Sequence, residues 1–138
     1  MILLDTNVLS ELMRPAPSVA VENWIGRQPV ASIFISAITE AELRYGVALL
    51  PEGRRQVQLL AKIEAMLAED FAGRILPFDS PAASAYADIA VTRRRLGRPM
   101  SQADAQIAAI ASSRGASLAT RNMDDFLDCG IDVVDPWQ

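Results

Sequence analysis

A chain of 138 residues, 51% of them hydrophobic and 22% charged, has the size and composition of one globular domain with its own core. It has no histidine and one cysteine, Cys129, which excludes histidine-dependent catalytic triads, imidazole metal ligands and an intramolecular disulfide. The net charge of −4 argues against a nucleic-acid binder, unless several acids are gathered around a cation. No apolar run approaches the roughly 20 residues of a bilayer span, and the start MILLD lacks the basic region of a signal peptide. We therefore expect a cytoplasmic protein.

Hydrophobic patterns predict five strands that alternate with helices. Residues 1–4 are all apolar and run into Asp5, as is typical of a strand buried on both faces of a parallel sheet. The other predicted strands are 31–36, 73–79, 116–120 and 131–134, and Pro77 predicts that 73–79 lies at an edge. The predicted helices are 6–13, 18–28, 39–50, 54–69, 80–96 and 101–113, with a short helix from about residue 123. This alternation predicts an α/β fold with a mainly parallel sheet in a single domain, 1–138.

Four acidic residues stand where predicted strands end or helices begin. Asp5 ends the first strand, and Glu42, Asp104 and Asp125 each follow a common helix-capping residue by three positions. Those capping residues are Thr39, Ser101 and Asn122. Each acid could therefore serve only local structure, Asp5 as a helix cap and the others in capping boxes. However, helices that follow strands in right-handed βαβ units begin at the carboxyl edge of the sheet, so the four acids could meet there.

Four carboxylates at one edge would repel each other and resist ionisation unless a cation neutralised them. Because histidine is absent, oxygen ligands would favour a hard cation such as Mg²⁺ or Mn²⁺. Metals held in this way resemble those that activate water against phosphodiesters. The amino termini of the helices would add partial positive charge suited to phosphate. The pattern thus favours a carboxylate-bound divalent metal and phosphodiester hydrolysis.

Four stretches of the chain together resemble a known family. LLDTNVLSEL, ITEAELRYG, RPMSQADAQIAAIA and LATRNMDDF are similar, in this order and spacing, to the motifs of PIN-domain endoribonucleases. The resemblance covers essentially the whole chain and is closest to the VapC and FitB-type toxins of bacterial type II toxin–antitoxin pairs. It implies a PIN-like α/β/α sandwich with a roughly five-stranded sheet. It also implies a Mg²⁺-dependent endoribonuclease, with Mn²⁺ as a substitute, that hydrolyses RNA with metal-activated water.

The motif match implies site residues as well. Asp5, Glu42 and Asp104 correspond to acidic metal ligands of the family. Many members carry an acid where this chain has Asn122, so the fourth ligand could be the amide oxygen of Asn122 or the carboxylate of Asp125. We therefore predict Asn122 as a metal ligand beside the three acids, and Asp125 as a fourth catalytic acid.

Arginines near these motifs are candidates for binding the RNA backbone, because a guanidinium fork matches phosphate. Lys62 is the only lysine among the 13 basic residues. We predict substrate contacts for Arg98 and Arg121 and consider the run 93–95, although cations near the end of a helix also stabilise the helix itself. Thr6 is a further substrate candidate. We expect Thr6 and Asn7 to brace Asp5. Weaker arginine candidates are Arg14 and Arg44.

The segment 54–69, with Leu49 and Leu50 before it, has more apolar surface than a lone surface helix needs. Packing in the core is the default explanation. In the resembled family, however, the third and fourth helices form the homodimer and antitoxin surfaces. The resemblance implies a homodimer, a cognate antitoxin with hydrophobic anchors and an arginine for the acidic site, and a larger assembly that contacts operator DNA only through the antitoxin. It implies RNA as substrate, with transfer RNA as one candidate, and no membrane partner.

Two other functions stay open at this stage. Asp5 and Thr6 after a buried strand also resemble the nucleophiles of phosphatases and receivers, which form an aspartyl phosphate. Such sites use a lysine, and Lys62 lies in the middle of a predicted helix. A non-catalytic subunit whose partner contacts DNA would suit the negative net charge, although the set of four acids argues against a purely binding role.

Overall fold

The computed structural model describes all 138 residues and contains one five-stranded sheet. The strands are β1 (Ile2–Leu4), β2 (Ile33–Ser36), β3 (Ile75–Leu76), β4 (Ser117–Ala119) and β5 (Val133–Val134). Their order is β3-β2-β1-β4-β5, and all four pairings are parallel. The predicted α/β class, the parallel sheet and the edge position of the third strand are confirmed. That strand is shorter than predicted, because Pro77 has no N–H to donate and Asp79 already caps the next helix.

Six α-helices flank the sheet. They are α1 (Thr6–Leu12), α2 (Val19–Gly26), α3 (Ala37–Ala48), α4 (Arg54–Ala65), α5 (Ser80–Arg95) and α6 (Gln102–Arg114). A π-helical turn, Met66–Asp70, extends α4, and a short 3-10 turn covers Met123–Phe126. None of the α-helices has the length and apolarity that a bilayer span needs.

The sheet separates two hydrophobic cores, so the architecture is an α/β/α sandwich. Leu3 packs with Ile107, Leu118 and other residues of one core, whereas its neighbour Leu4 belongs to the opposite core with Ile63. Leu3 and Leu4 are both fully buried, because successive strand residues point to opposite faces and both faces are covered. This explains the unbroken apolar run that begins the chain.

Helix α4 buries only part of its apolar surface. Ile63 is buried, as core packing predicted, but Val57 and Leu60 are 64% and 42% exposed. Tyr45 and Leu49 at the end of α3, which packs against α4, are exposed as well. The α3–α4 pair therefore keeps apolar side chains in solvent, which core packing alone does not explain.

Candidate functional site

Asp5 follows β1 at the carboxyl edge of the sheet and is buried. Its Oδ1 accepts a hydrogen bond from the backbone N–H of Thr6 at 2.8 Å, so the capping role is real. Its Oδ2 accepts from the hydroxyl of Thr120 at 2.8 Å and from the Nδ2 of Asn7 at 3.4 Å. Thr6 and Asn7 thus brace Asp5 as expected. Each carboxylate oxygen has two lone pairs, so these bonds still leave room for a further ligand.

Glu42 lies on α3 and is tied to α1 by one hydrogen bond. The hydroxyl of Thr6 donates to Glu42 Oε1 at 2.6 Å and lies 3.1 Å from the hydroxyl of Thr39. Thr39 is not a helix cap, because α3 begins two residues earlier than predicted. Its cap is Ser36, whose Oγ accepts from the N–H of Thr39 at 3.0 Å. The capping-box explanation of Glu42 is therefore wrong.

The other two predicted capping boxes are also incomplete. Ser101 caps α6, and its Oγ accepts from the N–H of Asp104 at 3.1 Å, but the Asp104 carboxylate accepts no hydrogen bond from the backbone N–H of Ser101. Asn122 makes no side-chain capping bond, and only the backbone N–H of Asp125 reaches the Asn122 carbonyl, at 3.1 Å. Neither Asp104 nor Asp125 therefore completes a capping box.

Three of the four acids meet at one cavity of about 530 Å³ beside the carboxyl edge of the sheet. None of the nine residues that line it is hydrophobic. They are Asp5, Thr6, Asn7, Ser10, Glu11, Arg14, Glu42, Asp104 and Asn122. Asp125 is not among them, although its charge acts on Asp104. Of the two sequence candidates for a fourth ligand, Asn122 therefore lines the cavity and Asp125 does not.

The electrostatics of this cavity disfavour the ionised forms of Asp5 and Asp104. Burial raises the pKa of Asp5, and the nearby charges of Asp104 and Glu42 raise it further, against the hydrogen bonds from Thr120 and Thr6. Burial also raises the pKa of Asp104, against the side-chain hydrogen bond of Ser101 and the charge of Arg93, and the charges of Asp125 and Glu42 raise it further. Since a divalent cation would remove both the repulsion and part of the burial cost, the cavity is suited to one.

The donor set fits a hard divalent cation, because it consists of carboxylate oxygens with one amide oxygen at Asn122. In their present positions, no three acidic side chains converge closely enough to hold a metal ion. Glu42 is exposed, and its carboxylate accepts a hydrogen bond from the hydroxyl of Thr6. The chemistry of the site therefore suits Mg²⁺ or Mn²⁺.

Residues 2–129 match the family model of the PIN domain. The chain belongs to the PIN-domain family. It is 41% identical to VapC ribonuclease Y4jK of Sinorhizobium fredii over 138 residues, covering 100% of this chain and 99% of that protein. It is 43% identical to toxin FitB of Neisseria gonorrhoeae over 137 residues, 99% of each. The structure of FitAB bound to an IR36 DNA fragment superimposes with a TM-score of 0.94 at 42% identity, covering 100% of this chain and 96% of the other. The predicted family and PIN-like fold are thereby confirmed.

The predicted substrate residues of this PIN domain lie in different surroundings. Thr6 lines the acidic cavity, but Arg98 and Arg121 do not. Arg98 forms an ion pair with Asp128. The guanidinium of Arg121 lies 5.0 Å from the centre of the Trp137 ring. Their contribution to RNA binding stays a prediction.

Arg93 is unavailable to a substrate. It is only 5% exposed, and its guanidinium donates to the carbonyls of Arg98 at 2.7 Å, Asp125 at 3.1 Å and Leu127 at 2.7 Å. These bonds hold the two loops on either side of Asp104 together. The prediction that Arg93 contacts RNA is therefore wrong for this member of the run 93–95.

Sequence reasoning missed Ser10 and Glu11, which line the PIN-domain cavity, and Thr120, which does not line it but contacts Asp5. Thr120 is fully buried and holds Asp5. The parallel register that pairs Leu4 with Ala119 could have revealed it, because the residues after that pair lie side by side. A second signal is the polar stripe at Asn7, Ser10, Glu11 and Arg14. Its spacing of i, i+3, i+4 and i+7 forms one face of a helix, and all four residues line the cavity.

Proposed function

We propose that this PIN domain, 1–138, is the toxin of a type II toxin–antitoxin pair and acts as a Mg²⁺-dependent endoribonuclease, with Mn²⁺ as a substitute. One observation carries the proposal: Asp5, Glu42 and Asp104 line a single cavity without a hydrophobic residue, at the carboxyl edge of a parallel sheet. Family membership and the similarity to a VapC ribonuclease support it.

In this function Asp5, Glu42 and Asp104 hold the cation, and Asn122 completes the ligand set. Asp125 acts through its charge on Asp104, since it does not line the cavity. The bound cation would supply Lewis-acid activation of water and stabilise charge on the phosphodiester. The protein itself fixes the positions of the carboxylates. The hydroxyl of Thr120, the backbone N–H of Thr6 and the side-chain amide of Asn7 orient Asp5. Ser101 caps the helix turn that carries Asp104.

The proposed partners are a cognate antitoxin and a second copy of the chain, in the cytoplasm. The exposed apolar residues of α3 and α4 support a protein-binding surface on these helices. The similarity to FitAB bound to DNA supports an assembly in which the antitoxin contacts operator DNA.

That same similarity favours one second candidate, a non-catalytic subunit of a DNA-binding complex. Aspartyl-phosphate transfer has less support. The amine of Lys62 donates to the carbonyl of Met13 at 2.9 Å, and Lys62 does not line the cavity of Asp5.

The deciding experiment is cleavage of end-labelled transfer RNA and single-stranded RNA by the antitoxin-free protein, with Mg²⁺, Mn²⁺ or EDTA. We expect cleavage that requires metal and disappears in Asp5→Asn and Asp104→Asn, because both changes remove a ligand charge and keep the shape. The matched control is Asp88→Asn, an exposed acid on α5, which should cleave normally and would reveal a contaminating nuclease.

The binding of Mn²⁺, followed by electron paramagnetic resonance, separates the two candidates. A protein that binds neither metal nor RNA, yet still joins its antitoxin on operator DNA, would contradict the nuclease proposal and favour the non-catalytic subunit. Cleavage by Asp5→Asn at the normal rate would contradict the assignment of the site.

A further inference from the structure

The acidic cavity contains one basic side chain, that of Arg14, out of the 13 basic residues of the chain. Most of the others are engaged elsewhere. Arg44, Arg98 and Arg114 pair with acids outside the cavity, Arg74, Arg93 and Lys62 donate to backbone carbonyls, and Arg121 lies over Trp137. Arg27, Arg54, Arg55, Arg94 and Arg95 are exposed and do not line the cavity. Arg14 is therefore the one protein cation that lines the acidic cavity itself, whereas Arg55 and Lys62 line the adjoining pocket.

Arg14 is held in place by Glu11, one helical turn before it. The two side chains form an ion pair of 3.3 Å between Arg14 Nη1 and Glu11 Oε1. The Glu11 side chain is only 8% exposed, and its other oxygen accepts from the backbone N–H of Ser18 at 2.9 Å. Both oxygens of Glu11 thus contact neighbouring protein groups, which makes this acid an anchor for Arg14.

The rest of the Arg14 guanidinium is free to bind. Its side chain is 66% exposed, and Nη1 to Glu11 is its only side-chain hydrogen bond. The Nε and Nη2 groups keep their N–H donors for a ligand. An arginine fixed at one nitrogen and open at the others loses little side-chain entropy when it binds a phosphate through two parallel hydrogen bonds.

RNA needs such a group here, because three other acids of the cavity repel a polyanion. We propose that Arg14 is a substrate-binding residue that holds a backbone phosphate of the RNA next to the bond that is cut, and that Glu11 positions it. This inference rests on the proposed function and names the residue at which the cavity receives its substrate. A plain surface ion pair, by contrast, would leave RNA binding unchanged when it is removed.

The test measures binding of fluorescein-labelled single-stranded RNA of mixed sequence by fluorescence anisotropy, with Mg²⁺ and at several NaCl concentrations. All proteins carry Asp104→Asn so that the RNA stays intact. A single phosphate contact contributes about 0.7 to the slope of log K against log salt. We therefore expect Arg14→Gln to make that negative slope less steep by about 0.7 and to weaken binding about fivefold at 0.1 M salt. Arg14→Lys should restore the slope, because it keeps the charge.

The matched control is Arg27→Gln, which removes the same charge from an exposed site outside the cavity and should leave affinity and slope within twofold. Equal affinity and slope for the Arg14 and Arg27 variants would overturn the proposal. Binding of Mn²⁺ to proteins that keep Asp104 should be the same with and without Arg14→Gln, and a loss of Mn²⁺ binding would instead assign Arg14 to the metal site. If the unmodified protein neither cuts nor binds RNA, the proposed function and this inference fail together. If it cuts RNA while Arg14→Gln binds normally, only this inference fails.

Glu11→Gln tests the anchor separately. Glutamine keeps an oxygen for the Ser18 N–H but loses the charge that fixes Arg14. Removal of a negative charge would by itself tighten RNA binding, whereas loss of the anchor weakens it. We expect weaker binding when Arg14 is present and no weakening in the Arg14→Gln background. Equal effects of Glu11→Gln in both backgrounds would overturn the positioning role.

Discussion

Replacing Thr120, the fully buried residue that follows β4, with valine removes one hydroxyl group and leaves the shape of the side chain nearly unchanged. That hydroxyl donates to Asp5 Oδ2 at 2.8 Å and accepts from the backbone N–H of Asn122 at 3.1 Å and from Asn7 Nδ2 at 3.3 Å. Valine leaves this oxygen of Asp5 with a single long bond from Asn7. The change therefore loosens the acid around which the cavity is built.

The expected loss of stability follows from these bonds. A hydrogen bond to an ionised carboxylate contributes about 2 kcal/mol and one to a backbone N–H about 1 kcal/mol. The methyl group that replaces the hydroxyl returns about 1 kcal/mol of apolar burial. The net loss is about 2 kcal/mol in the free energy of unfolding of the metal-free protein. With an unfolding entropy of about 2.1 cal/mol/K per residue, this lowers the Tm of a 138-residue domain by about 7 °C.

Thermal unfolding in EDTA at pH 8 and Mn²⁺ titration by calorimetry measure the two consequences. We expect Thr120→Val to lower both the Tm and the affinity for Mn²⁺, the latter by about 10- to 100-fold, as for other groups that orient metal ligands. Thr120→Ser keeps the hydroxyl and should retain most of the metal affinity. If Thr120→Val matches the unmodified protein in Tm and in metal affinity, Thr120 does not orient Asp5.

Three further predictions concern Asp5, α4 and Arg93. Folding raises the pKa of Asp5, mainly through burial, so the ionised acid destabilises the metal-free fold most above this raised pKa. Asp5→Asn should therefore unfold at a higher urea concentration than the unmodified protein at pH 8, and this difference should shrink as the pH falls towards 4. A difference that grows on acidification would contradict the raised pKa of Asp5. Ile63→Ala should lower the free energy of unfolding by about 3 kcal/mol, because it opens a cavity in the core. Leu60 is 42% exposed, so Leu60→Ala should lower it by less than about 1 kcal/mol. Equal urea midpoints for the two variants would contradict this difference in burial. Arg93→Met leaves three carbonyls without their donor and should lower the free energy of unfolding by about 3 kcal/mol. Amide hydrogen exchange at residues 122–130 should become faster. Unchanged exchange there would mean that Arg93 does not hold this loop.

The fold could be predicted because its signals are local. The apolar run before Asp5 indicated a strand buried on both faces, and strand–helix alternation then required a parallel sheet with its helix starts on one edge. The lengths of the strands were less predictable. In the stretch 73–79 only Ile75 and Leu76 form a strand, since Pro77 and the capping residue Asp79 end it.

The site could be predicted as far as chain direction determines it. Asp5 ends a strand, and Asp104 lies in the first turn of α6, which runs back to the start of β4, so both residues had to lie at the carboxyl edge of the sheet. The positions of the arginine side chains could not be predicted, because they depend on tertiary packing, which leaves no periodic pattern in the sequence. Arg93 is buried against carbonyls, whereas Arg14 lines the cavity. The exposure of Val57 and Leu60 likewise depends on what covers α4.

The charge inventory of the cavity connects the buried acids with the substrate. Glu11 and Arg14 neutralise each other, which leaves the charges of Asp5, Glu42 and Asp104. One divalent cation would reduce these three negative charges to one, and two cations would convert them to one positive charge. A polyanion is repelled in the first case and attracted in the second. With one cation bound, the N–H donors of the Arg14 guanidinium that do not contact Glu11 would offset this repulsion by binding a phosphate at the cavity. The RNA-binding defect of Arg14→Gln should therefore be largest at Mg²⁺ concentrations that fill only the tightest site, and smaller at higher Mg²⁺.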